Sequence, residues 1–114
     1  MNSCLFCSII KGDVKGDIVY QDESVVAFRD INPKAPVHIL IVPRKHIATL
    51  LDLEQGDKKL IGDIFYAATR LAKDKGISED GFRVVLNCGP GAGQSVYHIH
   101  IHLLGGRPFT WPPG

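Results

Sequence analysis

Long apolar runs are missing from this chain of 114 residues. Nothing approaches the ~18 consecutive apolar residues that a membrane-spanning helix needs. The opening MNSCLFCSIIKGD has neither a basic leader nor an apolar stretch of signal length. A soluble, unexported, cytoplasmic protein with no membrane partner is therefore expected. Net charge is also nearly absent: +1 with a pI near 7.8 sets up no field that would draw nucleic acid or an anionic bilayer, so a small ligand suits it better. Cysteine is scarce and odd in number, Cys4, Cys7 and Cys88, whereas the disulfide framework of a secreted domain normally uses an even set. A reducing compartment is the simpler setting. Repeats, low-complexity tracts and linkers are lacking too, which leaves one domain spanning 1–114. A domain of this size buries roughly 60–70% of its unfolded surface, enough for one core but not for a deep chamber. Dimerisation would help.

What is present is a series of short periodic segments punctuated by Gly and Pro. Residues 4–10 suit one or two helical turns. Residues 18–21 and 25–30 suit strands joined by the turn Asp22-Glu23-Ser24. After the breaks at Asn32-Pro33 and Ala35-Pro36, residues 37–42 are β-branched and apolar except for His38. Between residues 57 and 75, Leu60, Ile61, Ile64, Phe65, Ala68, Leu71 and Ala72 recur at three- and four-residue spacing. This predicts one long amphipathic helix, with Gly76 as its left-handed cap. Residues 82–87 and 98–104 are predicted strands. The sum is an α+β domain with a mainly antiparallel sheet, one long helix and a short N-terminal helix.

His98-Ile99-His100-Ile101-His102 holds three of the five histidines. A period of two puts all three imidazoles on one face of a strand and the isoleucines on the other. A solvated polar face would mix Lys, Thr, Glu and Ser instead. A three-histidine metal site is the rival: successive same-face residues lie ~7 Å apart, which suits a pair on one ion and makes a single ion touching all three awkward. Immediately upstream, Cys88-Gly89-Pro90-Gly91-Ala92-Gly93-Gln94-Ser95 is glycine-rich. Small residues let backbone N–H groups converge on an oxyanion, although most such clusters are merely turns.

The run Gly93-Gln94-Ser95-Val96-Tyr97-His98-Ile99-His100-Ile101-His102-Leu103 resembles the signature of the histidine triad (HIT) superfamily. Asp30-Ile31-Asn32-Pro33, Ala35-Pro36-Val37-His38, Val42-Pro43-Arg44-Lys45-His46-Ile47 and Trp111-Pro112-Pro113-Gly114 extend the resemblance to its nucleotide-binding, purine nucleoside phosphoramidase branch. That resemblance implies a HIT-like fold, a homodimer whose subunits join sheets, and hydrolysis of purine nucleoside phosphoramidates and related AMP or GMP conjugates. It makes His100 the nucleophile that forms a nucleotidyl-imidazole. Neutral imidazole suits that task at pH 7, with a carbonyl on its other nitrogen to set the tautomer. His98 and His102 would orient His100, bind phosphoryl oxygens and help protonate a departing amine, Ser95 would assist departure, and His38 would complete a relay.

By the same resemblance the ribose hydroxyls sit on Asp30 and the base lies among Leu5, Phe6, Ile9, Val14, Phe28 and Ile31. For the aliphatic members of that set, ordinary core packing is equally good. Asn87, Gly93, Gln94, Ser95 and Val96 would hold the α-phosphate, and Trp111 would reach the partner subunit's site. Cys4-x-x-Cys7 stays open between two thiols and a structural zinc completed by His46 and His98, as in some family members. A redox motif fits less well because no strand precedes the pair. No cofactor is required by the chemistry. Dinucleoside polyphosphate hydrolysis and a non-catalytic nucleotide-binding module are the competing functions.

Overall fold

The computed structural model describes residues 3–114; Met1 and Asn2, the first two residues of the expected domain and leader reading, lie outside the described residues. Helix α1 spans Leu5–Lys11, strands β1 to β3 span Ile18–Gln21, Val25–Arg29 and Val37–Pro43, helix α2 spans Lys58–Asp74, and β4 and β5 span Phe82–Leu86 and Ile101–Gly105. The sheet order is β1-β2-β3-β5-β4, antiparallel at every step. The expected α+β architecture is thus the observed one.

Alternation along the strands divides the core in two. On one face, Ala27, Ile39, Ile41, Ile101 and Leu103 pack under Ile64, Ala68, Leu71 and Ala72 of α2. Gly76 takes φ +74, and Ile77 donates back to the Ala72 carbonyl at 3.0 Å, so the left-handed cap stops the helix where glycine permits it. Phe65 departs from the predicted apolar stripe: it is 44% exposed, because the sheet covers only the Ile64, Ala68 and Leu71 side of α2. On the opposite face, α1 lays Phe6 and Ile9 over Val26, Phe28, Leu40 and Val42. This small helix closes one end of an otherwise open face and leaves the His38 end of β3, with β5 and β4, uncovered.

The predicted strand over residues 98–104 is shorter than expected, beginning at Ile101. The β3–β5 register pairs Ile41 with Ile101, so Ile99 would next meet Pro43, which has no N–H to give the ladder. The Ile99 amide instead donates to the Ile47 carbonyl at 2.7 Å. His98 and His100 therefore leave the sheet while His102 stays in it.

The strand's other end is constrained sterically. A Cβ added at Gly105 would lie 2.5 Å from Ile77 Cδ1 and 2.9 Å from Ile77 Cβ. Gly105→Ala is expected to cost about 1–3 kcal/mol in urea denaturation through overpacking, with part recovered when Ile77→Ala accompanies it. Unchanged stability in the single variant would contradict this contact.

Candidate active site

Three elements converge on the open face: β3 brings His38, β5 brings His102, and the segment before β5 brings His100. His100 is buried, with its ring 5.1 Å from that of His102 and edge-on to Phe6 at 5.0 Å. Its Nδ1 lies 2.8 Å from the His98 carbonyl. A carbonyl can only accept, so the proton sits on Nδ1 and Nε2 keeps its lone pair.

A second chain of hydrogen bonds sets the other two rings. The Lys34 amide donates to His38 Nδ1 at 3.0 Å, which leaves the His38 proton on Nε2. That nitrogen lies 2.9 Å from His102 Nδ1 and 3.4 Å from Asp30 Oδ2. His102 Nδ1 thus accepts, and its own proton is carried on Nε2. Burial pushes His38, His100 and His102 below the ordinary imidazole value, with His102 lowered to about 4. The second cause at His102 is repulsion from His100, then from His38. All three rings are neutral at pH 7. The Asp30 carboxylate is itself fixed, since Oδ1 accepts from the Asn32 amide at 2.8 Å.

His98 is arranged differently from the other two triad residues. Its ring is fully buried, with Nε2 2.7 Å from the Pro43 carbonyl and Nδ1 3.4 Å from Cys4 Sγ, 3.5 Å from Cys7 Sγ and 3.2 Å from His46 Nδ1. Both ring nitrogens are thereby engaged away from the phosphoryl position expected of them. What His98 offers His100 is its carbonyl.

Cys4, Cys7, His46 and His98 together present four ligand atoms within 4.8 Å of one another. Helix α1 sets the pair, with Cys4 as its N-cap and Cys7 one turn on. The Lys45–Asp57 ion pair at 2.7 Å ties down the segment carrying His46. Zinc bonds of ~2.3 Å to sulfur and ~2.0 Å to nitrogen imply tetrahedral edges of about 3.5 Å between S and N and about 3.3 Å between two N. The observed 3.4 Å, 3.5 Å and 3.2 Å edges fit that geometry. The donor chemistry fits as well: the Pro43 carbonyl requires a proton on His98 Nε2 and so frees Nδ1 as a ligand. Burial pushes the Cys4 thiol up, so only a nearby cation would hold it as thiolate. Among the described residues no disulfide engages any of the three cysteines.

The remaining expected contacts are distributed unevenly. Phe6, Ile9 and Phe28 are packed together, whereas Leu5, Val14 and Ile31 are exposed at 47%, 40% and 99%. Asn87 lines the cavity above the histidines. Ser95 and Val96 line a neighbouring concavity beside His46, and Gly93 (φ +89) ends the loop's short helical turn. The Gln94 amide holds the loop closed: its oxygen accepts from Gly89 N, and its nitrogen donates to the Ala48 and Val96 carbonyls. Trp111 is 83% exposed and lines neither of these two cavities. The Lys34 amide is the participant that residue types did not announce, since the interaction involves no side chain. Arg83 also lines the cavity. The signal for it is a lone cation alternating with Phe82, Val84 and Leu86, the partly buried residues of β4 that pack on the core.

Comparisons with known proteins agree with this geometry. Residues 11–109 match the HIT domain family. A HIT family hydrolase from Legionella pneumophila Philadelphia 1 superposes with a TM-score of 0.96 at 52% identity, over 98% of this chain and 100% of that one. Purine nucleoside phosphoramidase from Escherichia coli K12 is 48% identical over 91% of this chain and 87% of its own length. The 14 kDa zinc-binding protein of Zea mays is 51% identical over 96% of this chain and 87% of its own.

Proposed function

Because the chain belongs to the HIT domain family, whose similar structures include a family hydrolase, we propose that it is a hydrolase of purine nucleoside phosphoramidates and related AMP or GMP conjugates, acting through a nucleotidyl-histidine at His100. The observation carrying this reading is the His100 ring, proton on Nδ1 against the His98 carbonyl at 2.8 Å and lone pair on Nε2, beside a donor on His102. Nε2 attacks phosphorus, the Nε2–P bond forms, and the P–N bond to the amine breaks. The departing nitrogen takes a proton from His102 Nε2, and His38 shares its own with His102 Nδ1. The phosphorylated imidazolium carries the compensating positive charge. Water then cleaves Nε2–P and returns a proton to the His102–His38 pair, which closes the balance.

Ribose hydroxyls would lie on Asp30, and the base would sit against Phe6, Ile9 and Phe28, with Leu5, Val14 and Ile31 at its rim. Asn87, Gly93, Ser95 and Val96 would surround the phosphate, with Gln94 holding their loop. The relative named as a purine nucleoside phosphoramidase supports the purine assignment. Cys4, Cys7, His46 and His98 would hold a structural zinc, since four protein ligands leave no position for water. A homodimer is part of the proposal: β4 ends the sheet, Phe65 and Tyr66 are exposed on α2, and Trp111 would reach the partner's site. Light scattering that finds a fully active monomer would remove that part.

A panel of adenosine 5′-phosphoramidate, an AMP–lysine conjugate and diadenosine tetraphosphate tests the activity. Preference for the phosphoramidates is expected. Preference for the tetraphosphate would make the chain a polyphosphate hydrolase, and binding without turnover would make it a nucleotide-binding module. The pH profile provides a separate check. Neutral rings are needed, and burial lowers His38 and His102. The acid limb of kcat/KM is therefore expected below the ~6.5 of a free imidazole, with activity held through neutrality and lost only as pH falls further. An acid limb above 7 would contradict the burial.

A further inference from the structure

Beyond the histidines, the open face continues as a cavity of about 370 Å³ reaching across β5 to β4. Its lining has an unusual charge balance: Lys34, Arg83 and Arg107 face it against one carboxylate, Asp30. Asp30 is already directed to the Asn32 amide and to His38. Both guanidiniums stack on the Phe109 ring, with Cζ 5.1 Å from its centroid for Arg83 and 4.4 Å for Arg107. Among the described residues their hydrogen bonds go to carbonyls: Arg83 Nη2 to Thr110, Arg107 Nε to Lys34 and Arg107 Nη1 to Pro108. Among the described residues no ion pair engages Lys34, Arg83 or Arg107.

Carbonyls orient a guanidinium without neutralising it. Two such groups held at one ring repel each other unless an anion joins them, and the fork geometry of arginine matches carboxylate and phosphoryl oxygens. The position is equally specific. In register, His38 faces Leu104 on β5 and Leu104 faces Arg83 on β4, so the three share one face. The apolar site for a base lies at the other end, under α1 at β2. With base over β2 and phosphorus at β5, a group leaving opposite the incoming nucleophile is carried toward β4.

We propose that this cavity is the leaving-group subsite and that it takes an anionic group, carboxylate or phosphoryl, carried by the departing amine. The inference rests on the phosphoramidase reading and narrows its substrate class to conjugates whose amine half is negatively charged. The test compares AMP joined through nitrogen to 4-aminobutyrate, to 3-aminopropylphosphonate and to the primary amide of 4-aminobutyrate, three amines of similar reach and basicity. At low salt, kcat/KM for an anionic conjugate is expected to exceed that for the neutral amide by ~10-fold or more, mainly through KM, and the ratio should shrink as salt screens it. The larger of the two anionic arms identifies carboxylate or phosphoryl as the natural group. Arg83→Gln with Arg107→Gln should bring the ratio to about one whatever the absolute rate, and Arg83→Lys with Arg107→Lys should keep most of it. Should the double variant misfold, Arg83→Gln alone and the wild-type ratio still decide. Equal rates for anionic and neutral conjugates in the wild type, or a ratio that survives both glutamines, would overturn the proposal. Turnover of adenosine 5′-phosphoramidate without charge preference sinks this inference alone; no turnover of it sinks the activity as well.

Discussion

His100→Ala is expected to lower kcat toward adenosine 5′-phosphoramidate by at least ~10⁴-fold while changing AMP affinity only a few-fold. The division follows from what the side chain does. His100 meets Phe6 edge-on at 5.0 Å, but the proposed base contacts at Ile9 and Phe28 and the proposed ribose contact at Asp30 do not require its ring, so most ground-state binding is retained. A double-displacement route, however, needs one nucleophilic atom, and no other ring presents a lone pair in its place: His102 Nδ1 accepts from His38, and both nitrogens of His98 are engaged. Loss of His102 should act differently, slowing basic amine leaving groups far more than weakly basic ones, because a good leaving group needs less protonation. Rapid quench of the wild type with labelled substrate, followed by mass spectrometry of the triad peptide, locates the adenylate. Adenylate on His98 or His102, or normal turnover in His100→Ala, would show the nucleophile to be another residue.

The second large effect is expected at the cysteine pair. Protein purified without added metal should carry close to one equivalent of zinc, and Cys4→Ser with Cys7→Ser should abolish it. A site binding only the folded state at ~10³ times its dissociation constant contributes about 4 kcal/mol, which in a domain of this size corresponds to roughly 10–20 °C in Tm. Activity should fall with stability, because the residue whose ring completes the cluster is the one whose carbonyl holds His100. Less than about a tenth of an equivalent of zinc, in protein with reduced thiols, would count against the site.

Much of this was visible in residue order. The histidine row stood out because one polar residue type occupied alternate positions, and α2 because its apolar spacing persisted over several turns. The division of labour within the row was not visible. A period of two presumes an uninterrupted ladder, and the interruption comes from Pro43, more than fifty residues upstream, which faces the place where Ile99 would have paired. Phe65 fitted the helical stripe but lies where the sheet does not extend. Cys4 and Cys7 announced themselves as a pair, whereas His46 joined them only through the family resemblance, since nothing local marks a histidine in a loop as a ligand. Nothing in the residue order joins Arg83 to Arg107, and only the fold brings them to one aromatic ring.

The amide of Lys34 directs the protons of His38 and His102, and it belongs to the main chain. Replacing Lys34 with alanine, glutamate or leucine changes the charge at the cavity but leaves that N–H where it was, so neither an alanine scan nor a table of tolerated residues would reveal this role. Only a change to the backbone reaches it. Proline at 34, or an ester in place of the amide introduced by chemical synthesis, would release His38 Nδ1 to take up the proton and turn the pair around. The orientation of these two rings can therefore be inherited unchanged through any side-chain replacement at position 34 except proline, whatever that replacement does to the charge of the cavity.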